Sequence, residues 1–294
     1  MARSKRIPNQ SRLRCLHKAP ISNRSGFEIL SHPTIEPVRD GCFLKMNWAI
    51  VGEAPKDFLR IYEYGAVNKS RLGEWPGYIA KVGQKWYPNE SITEHLLTRL
   101  GQALQLEIAD SRLMWVRGQL RFLSRYFLKP DESLVHGAEI FAGYLADRKF
   151  VEEVEARKQS REVFTYQVVE DAIITLFYDQ ADEILSGFVR LLAFDAIVGN
   201  NDRHYYNWGV ITQVEGKRPP RLAPIYDTAR ALFWNITEEK LEEIERQKQR
   251  ETYIEAYVNK SQPKTGWDDT PGINHFALMR ALAGHSSNLQ NVLK

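Results

Sequence analysis

Hydrophobic and polar positions divide the chain into two regimes. From about residue 38 to 128, short runs with alternating apolar positions predominate around a single helical stretch, whereas from 131 onward the apolar spacing is mainly that of helices. In the first regime, GAVNKSRLGEWPGYIAKVG predicts a strand, a Gly-containing loop and a second strand ending in Lys81. The segment ESITEHLLTRLGQALQL carries Ile92, Leu96, Leu97, Leu100 and Leu104 as the apolar stripe of an amphipathic helix. After it, SRLMWVRGQLRFLSRYF alternates as two strands joined at Arg117-Gly118.

In the second regime, SLVHGAEIFAGYLADR, TYQVVEDAIITLFYDQ and ADEILSGFVRLLAFDAIVG predict helices, the last with Ile184, Phe188, Leu191 and Leu192 as core positions. GVITQV and PRLAPIY, turned by EGKRPP, predict a β-hairpin. EEKLEEIERQKQRETYIEAYV reads as one charge-dense, solvated helix, and SQPKTGWDDTPG as a loop that approaches a substrate site. His136 is expected to be a packing histidine. The predicted class is α+β, with a basic arm over 1–37, a small β-rich lobe over 38–128 and a mainly helical lobe over 129–294.

At 294 residues and 43% hydrophobic, the chain is long enough for a substantial core. No apolar run of ~18 residues predicts a membrane span, and the cytosol is the default compartment. Two cysteines, Cys15 and Cys42, are too few for a disulfide framework or a zinc site. The net charge of +3 conceals an asymmetry: residues 1–27 hold seven Lys or Arg and no acid, leaving 33 basic against 37 acidic residues elsewhere. That arm fits a solvated tail first, with a transit peptide or a nucleic-acid-contacting arm as the other readings.

The most informative stretch is Leu191 to Asp227. Asp202 and Asn207 stand five positions apart, and Asp227 closes the predicted hairpin. Phosphoryl transfer from ATP requires a carboxylate beside the attacking hydroxyl and oxygen ligands for Mg²⁺. Asp202 suits the first role, Asn207 and Asp227 the second. Taken alone, Asp202 fits a polar turn after a helix, and Asp202, His204 and Asp227 together would suit a metal-dependent hydrolase.

FDAIVGNNDRHYYNWGVI followed by LAPIYDTARAL resembles the C-terminal half of HipA-like serine/threonine kinases, whose pattern is close to N-x-D-R-H-x-x-N and then P-x-Y-D. The resemblance implies a two-lobed, protein-kinase-like fold with Asp202 as catalytic base, His204 as a support of its loop, and Asn207 and Asp227 as Mg²⁺ ligands. Upstream it implies that Lys81 contacts ATP phosphates. Glu94 reads equally from spacing as Lys81's ion-pair partner or as the last residue of an S-x-x-E capping box, and the resemblance favours the ion pair. Ser124 and Tyr126 fall where a kinase hinge meets adenine, and Ser70 lies in the loop where the family carries a silencing phosphoserine. The chain has little room before Tyr64 for an additional N-terminal subdomain, so it is similar to the shorter, HipT-like branch. The implied cofactors are ATP and Mg²⁺, and the implied partners are a protein substrate with a Ser or Thr hydroxyl and an antitoxin-like protein. A lipid or small-molecule kinase, or a catalytically dead nucleotide-binding protein, are the alternative readings.

Overall fold

The computed structural model describes residues 35, 37–48, 56–82, 89–117 and 119–285. The basic arm apart from Ile35 and Pro37, Gly118 of the expected strand joint and the chain end from 286 lie outside the described residues. The chain separates into two compact units. One holds the described residues up to Thr98 with Ala109–Tyr126, and the other holds Arg99–Ile108 with the described residues from Phe127.

The first unit is built on a five-stranded sheet in the order β1-β2-β3-β5-β4, antiparallel throughout. Its strands are β1 (Phe43–Met46), β2 (Lys56–Ile61), β3 (Gly77–Lys81), β4 (Ser111–Val116) and β5 (Gln119–Arg125). Leu59, Ile61, Tyr78, Met114 and Leu123 form its buried core with Trp75. The strand expected just after Tyr64 is instead a turn, with Gly65 at φ +79°, and the strand that pairs with β3 lies earlier, at β2. The residues between them form a loop held from the sheet: Arg60 Nη1 donates to the carbonyls of Gly73 and Trp75, both at 2.8 Å. Trp75 Nε1 donates to Asn68 O at 3.4 Å.

Helix α1 (Asn89–Ala103) follows β3. Its apolar stripe does not set its inner face, because Ile92, Leu96, Leu100 and Leu104 are exposed and only Leu97 is buried. Apart from Leu97 and Gly101, the buried positions are polar: Ser91, Glu94, His95 and Thr98. His95 Nδ1 lies 2.7 Å from Ser111 Oγ on β4, and Glu94 meets Lys81, so specific hydrogen bonds orient this helix against its expected hydrophobic face.

The second unit has a three-stranded sheet in the order β6-β7-β8, from β6 (Glu132–His136), β7 (Gly209–Gln213) and β8 (Arg221–Leu222). Its described helices are α2 (Gly137–Leu145), α3 (Arg148–Ala156), α4 (Ser160–Val163), α5 (Tyr166–Leu176), α6 (Ala181–Val198), α7 (Glu238–Arg246), α8 (Arg250–Lys260) and α9 (His275–His285). The helix expected from Ser133 begins only at Gly137, because residues 132–136 pair with β7. His136 then caps α2, its backbone N–H donating to Glu139 at 2.8 Å. Gly137 is required at that junction, since a Cβ there would sit 2.6 Å from the Trp208 ring.

The expected hairpin is present but short. Val210 pairs with Leu222 and Ile211 with Arg221, after which Pro224 has no N–H to extend the ladder. The charge-dense helix is broken into α7 and α8 by Lys248 at φ +55°. Helix α6 carries the expected core positions, since Ile184, Phe188, Leu191 and Leu192 are all buried. It ends at Gly199, whose φ of +66° forms a left-handed C-cap that turns the chain into residues 200–208. Among the described residues no helix is long and apolar enough to cross a membrane.

Candidate active site

In the first unit, β3 ends on Lys81, whose strand neighbours are Lys56 and Phe122. Lys81 Nζ donates to Glu94 Oε1 at 2.7 Å, and both side chains are buried. Because Asn89 is already helical, Ser91 and Glu94 lie inside α1, and Glu94 binds the lysine rather than closing a capping box. Ser70 is exposed in the β2–β3 loop, where its N–H and Oγ both donate to Asn68 Oδ1, at 3.0 and 2.8 Å. Ser124 is nearly buried on β5, opposite Ile79 and Ser111. Tyr126 gives its N–H to Gly77 O at 2.9 Å, and its ring packs edge-on against Phe58 at 5.2 Å. That amide is committed to the sheet edge, so an adenine contact from Tyr126 would fall to its carbonyl oxygen.

In the second unit, the loop after α6 is organised around Arg203, a fully buried arginine. Its Nε donates to Asp195 Oδ2 at 2.9 Å and its Nη2 to Asp195 Oδ1 at 3.1 Å. Its Nη1 donates to the carbonyls of Asn207 at 2.7 Å and Tyr226 at 2.5 Å. One side chain therefore ties the loop that carries Asp202 to the residue before Asp227. Burial works against the charge on Arg203, yet Asp195 outweighs it and holds the guanidinium above its ordinary value. Asn200 completes the base of the loop, with Nδ2 donating to Asp195 at 2.8 Å and Oδ1 accepting the Asp202 N–H at 3.1 Å.

Asp202, His204 and Asn207 are set by the loop's own bonds. The Asp202 carbonyl accepts from the His204 N–H at 2.8 Å and from Asn207 Nδ2 at 2.8 Å. The second bond directs the Asn207 amide nitrogen inward and turns Oδ1, the atom able to bind a cation, away from it. His204 Nδ1 accepts the Tyr206 N–H at 3.2 Å, so this ring is part of the loop's framework. Tyr226 OH reaches His136 Nδ1 at 3.1 Å, which makes His136 a packing residue beside the site. Asp227 adopts φ +55°, a left-handed conformation that aspartate tolerates better than most residues.

Burial pushes the Asp202 carboxyl above its ordinary value, and nearby Asp227 pushes the same way; Arg230 and His204 oppose them. Arg230 Nη1 lies 3.4 Å from Asp202 Oδ2. Burial lowers the His204 pKa, with Asp202 acting in the opposite direction. The donors beside Asp202 are a carboxylate and an amide oxygen, a hard set that fits Mg²⁺ held jointly with phosphate oxygens. Among the described residues no three His, Cys, Asp or Glu side chains converge as a metal-binding group.

Sequence reasoning passed over Asp195, Asn200 and Arg230. Asn200 and Arg203 stand inside the N-x-D-R-H pattern and could have been found there, whereas Asp195 lies in the otherwise apolar last stretch of its helix, Leu191–Val198, where a lone buried acid is itself a signal.

A family model described as the HipA-like C-terminal domain matches residues 49–281. No curated protein matches the chain. Among solved structures, it is similar to the Helicobacter pylori proinflammatory kinase CtkA, at 16% identity and a TM-score of 0.63 over 87% of this chain and 80% of that one. It is also similar, at 16% identity and a TM-score of 0.44 over 91% of this chain and 57% of that one, to a chain of the Shewanella oneidensis MR-1 toxin–antitoxin complex of HipA, HipB and operator DNA. The likeness to CtkA extends to the fold, which is α+β and kinase-like.

Proposed function

Because the chain belongs to the HipA-like C-terminal domain family, we propose that it is an ATP-dependent phosphotransferase of toxin type that modifies a serine or threonine hydroxyl on a protein. Asp202 accepts the proton of the attacking hydroxyl. Asn207 and Asp227 hold Mg²⁺ against the nucleotide phosphates, and Lys81, fixed by Glu94, contacts phosphate oxygens. His204 holds the loop. Ser124 and the carbonyl of Tyr126 belong to the adenine side, and Ser70 to the phosphate-covering loop. Catalysis of this kind rests on positioning and charge neutralisation, and Mg²⁺ supplies most of the neutralising charge.

The observation that carries this reading is the reach of Arg203, which binds the carbonyls of Asn207 and Tyr226 with one nitrogen. A structural turn would not need a buried cation fixing the two chain segments that hold the proposed metal ligands. The domain assignment proposed with it is an ATP-binding lobe over 38–128 and a catalytic lobe over 129–294. We further propose an antitoxin-like protein as partner, to be sought by co-purification. The test of activity is incubation with γ-labelled ATP and Mg²⁺, alone and with cell lysate. Label on lysate proteins is the expected result; label only on lipid would identify a lipid kinase, and no label would leave a nucleotide-binding protein.

A further inference from the structure

Residues 261–274, the long connection between α8 and α9, are fastened at their start to the loop that carries Asp202. Ser261 Oγ and the Gln262 N–H both donate to Asn201 Oδ1, at 2.9 and 2.8 Å. A few residues on, Gly266 O accepts the Tyr166 N–H at 3.0 Å, and a Cβ at Gly266 would collide with the Arg161 carbonyl oxygen. Thr165 Oγ1 donates to Asp268 Oδ1 at 2.5 Å, and the Trp267 ring stacks on that of Tyr166. Connections of this length without helix or strand are uncommon and usually functional. This one is held on both sides of Lys264.

Lys264 is exposed between two buried residues, Pro263 and Thr265, so its side chain leaves the tethered backbone outward. Among the described residues its ammonium makes no hydrogen bond and no ion pair. It nevertheless acts on the proposed base. Burial raises the Asp202 pKa, and Lys264 is one of the groups that oppose it, after Arg230 and His204. Arg230 does so as a direct partner, with Nη1 3.4 Å from Asp202 Oδ2, and His204 is bonded into the loop. Lys264 faces the same carboxylate with its own donors uncommitted.

The distances that transfer requires bring a second anion to this place. A base sits about 3 Å from the acceptor hydroxyl, and that oxygen about 3–3.5 Å from phosphorus, so the transferred phosphoryl lies roughly 6 Å from the Asp202 carboxylate. A cation that acts on Asp202 therefore acts on that phosphoryl as well. Lysine suits the task, because an ammonium on a flexible four-carbon stem binds phosphate as a point charge.

We propose that Lys264 is a further catalytic residue, a cation that contacts the transferred phosphoryl group beside Asp202. The inference rests on the phosphotransferase reading above. As the acceptor oxygen bonds to the γ-phosphorus, the bond from phosphorus to the β-phosphate oxygen breaks. Its electron pair leaves with ADP, and the hydroxyl proton passes to Asp202. Lys264 exchanges no proton and makes no covalent bond; its charge offsets that on the phosphoryl oxygens.

The test compares the full chain with its Lys264→Met and Lys264→Arg variants. Calorimetric titration with Mg²⁺ and either ADP or the β,γ-imido analogue of ATP reads contact with the γ-phosphate without turnover, and labelling of lysate proteins from γ-labelled ATP reads transfer. Lys264→Met should bind ADP as the original chain does. It should bind the ATP analogue about fivefold more weakly, the size of one exposed ion pair, and transfer about 10²-fold more slowly. Lys264→Arg should recover most of both losses. Because the side chain is exposed, the thermal midpoint should not move. Equal weakening of ADP and analogue, or a lowered midpoint with the same loss in Lys264→Arg, would assign Lys264 to the structure of the loop and overturn the proposal. Unchanged analogue binding, with slower transfer that more lysate protein restores, would assign it to the acceptor and overturn the proposal too. In either case transfer by the original chain leaves the phosphotransferase reading standing. No label from the original chain overturns that reading, and the catalytic role of Lys264 with it.

Discussion

Arg203 grips Asp195 through two parallel hydrogen bonds, with both side chains 1% exposed. Such a pair is costly to desolvate and costlier to break, because removing one partner strands a buried charge. Its value here lies in what Arg203 does with its remaining nitrogen, which fixes the carbonyls of Asn207 and Tyr226.

Arg203→Leu should therefore destabilise the fold by about 3–5 kcal/mol, read by urea or thermal unfolding. The double replacement Asp195→Leu with Arg203→Leu should recover much of that loss, since no charge is left stranded. It should not recover turnover, because the carbonyl bonds remain absent. A double variant that regained full transfer activity would show that Arg203 serves packing alone.

Glu94→Gln separates the two roles that spacing allowed. Gln would serve a capping box almost as well as Glu, but it cannot neutralise the Lys81 ammonium. With the observed 2.7 Å contact, the variant should keep its helix content and lose nucleotide affinity or turnover. Circular dichroism and ATP titration read the two effects separately.

These residues also show how far the sequence can be read. The family motif around Asp202 was legible because it is carried by residue types at fixed spacing, and the strand ending in Lys81 was legible in the local pattern. The orientation of α1 was not. Its strongest periodic signal, Ile92, Leu96 and Leu100, faces solvent, while buried polar contacts of Glu94 and His95 with other strands decide the packing. Nor was β6, since Glu132–His136 is a strand only because β7 lies beside it, and local pattern carries no information on a partner some seventy residues away. Arg203 was visible in the motif, but its four bonds depend on the tertiary arrangement.

Ser70 gives a prediction about control of the β2–β3 loop. Its Oγ is exposed and bonds only locally to Asn68, so Ser70→Ala should cost little stability. Ser70→Asp adds charge in a loop proposed to cover ATP phosphates, and like charges repel. Calorimetric titration should show weaker ATP binding for Ser70→Asp than for Ser70→Ala; equal affinities would remove Ser70 from the phosphate-covering role.

The final prediction separates the two aspartates and follows from the raised pKa of Asp202. A base must be ionised to accept a proton, so kcat/KM should fall as pH drops through a value above the ordinary carboxylate range. Arg230 lowers that value, so Arg230→Gln should move the acid limb to higher pH. The stability effect has the opposite sense. A carboxyl whose folded pKa lies above its unfolded one stabilises the fold in its protonated form, fully below the unfolded pKa, and that contribution is lost as pH rises through the folded value. Asp202→Asn, permanently neutral, should therefore be at least as stable as the original chain at neutral pH, while transfer falls by about 10²–10⁴. It should still bind ATP more tightly with Mg²⁺ than without. Asp227→Ala should lose that Mg²⁺ enhancement together with turnover, because its carboxylate is proposed to hold the ion. Unfolding curves, pH–rate profiles and ATP titrations with and without Mg²⁺ cover all of these points, and an equal Mg²⁺ enhancement in the Asp202 and Asp227 variants would overturn the assignment of their roles.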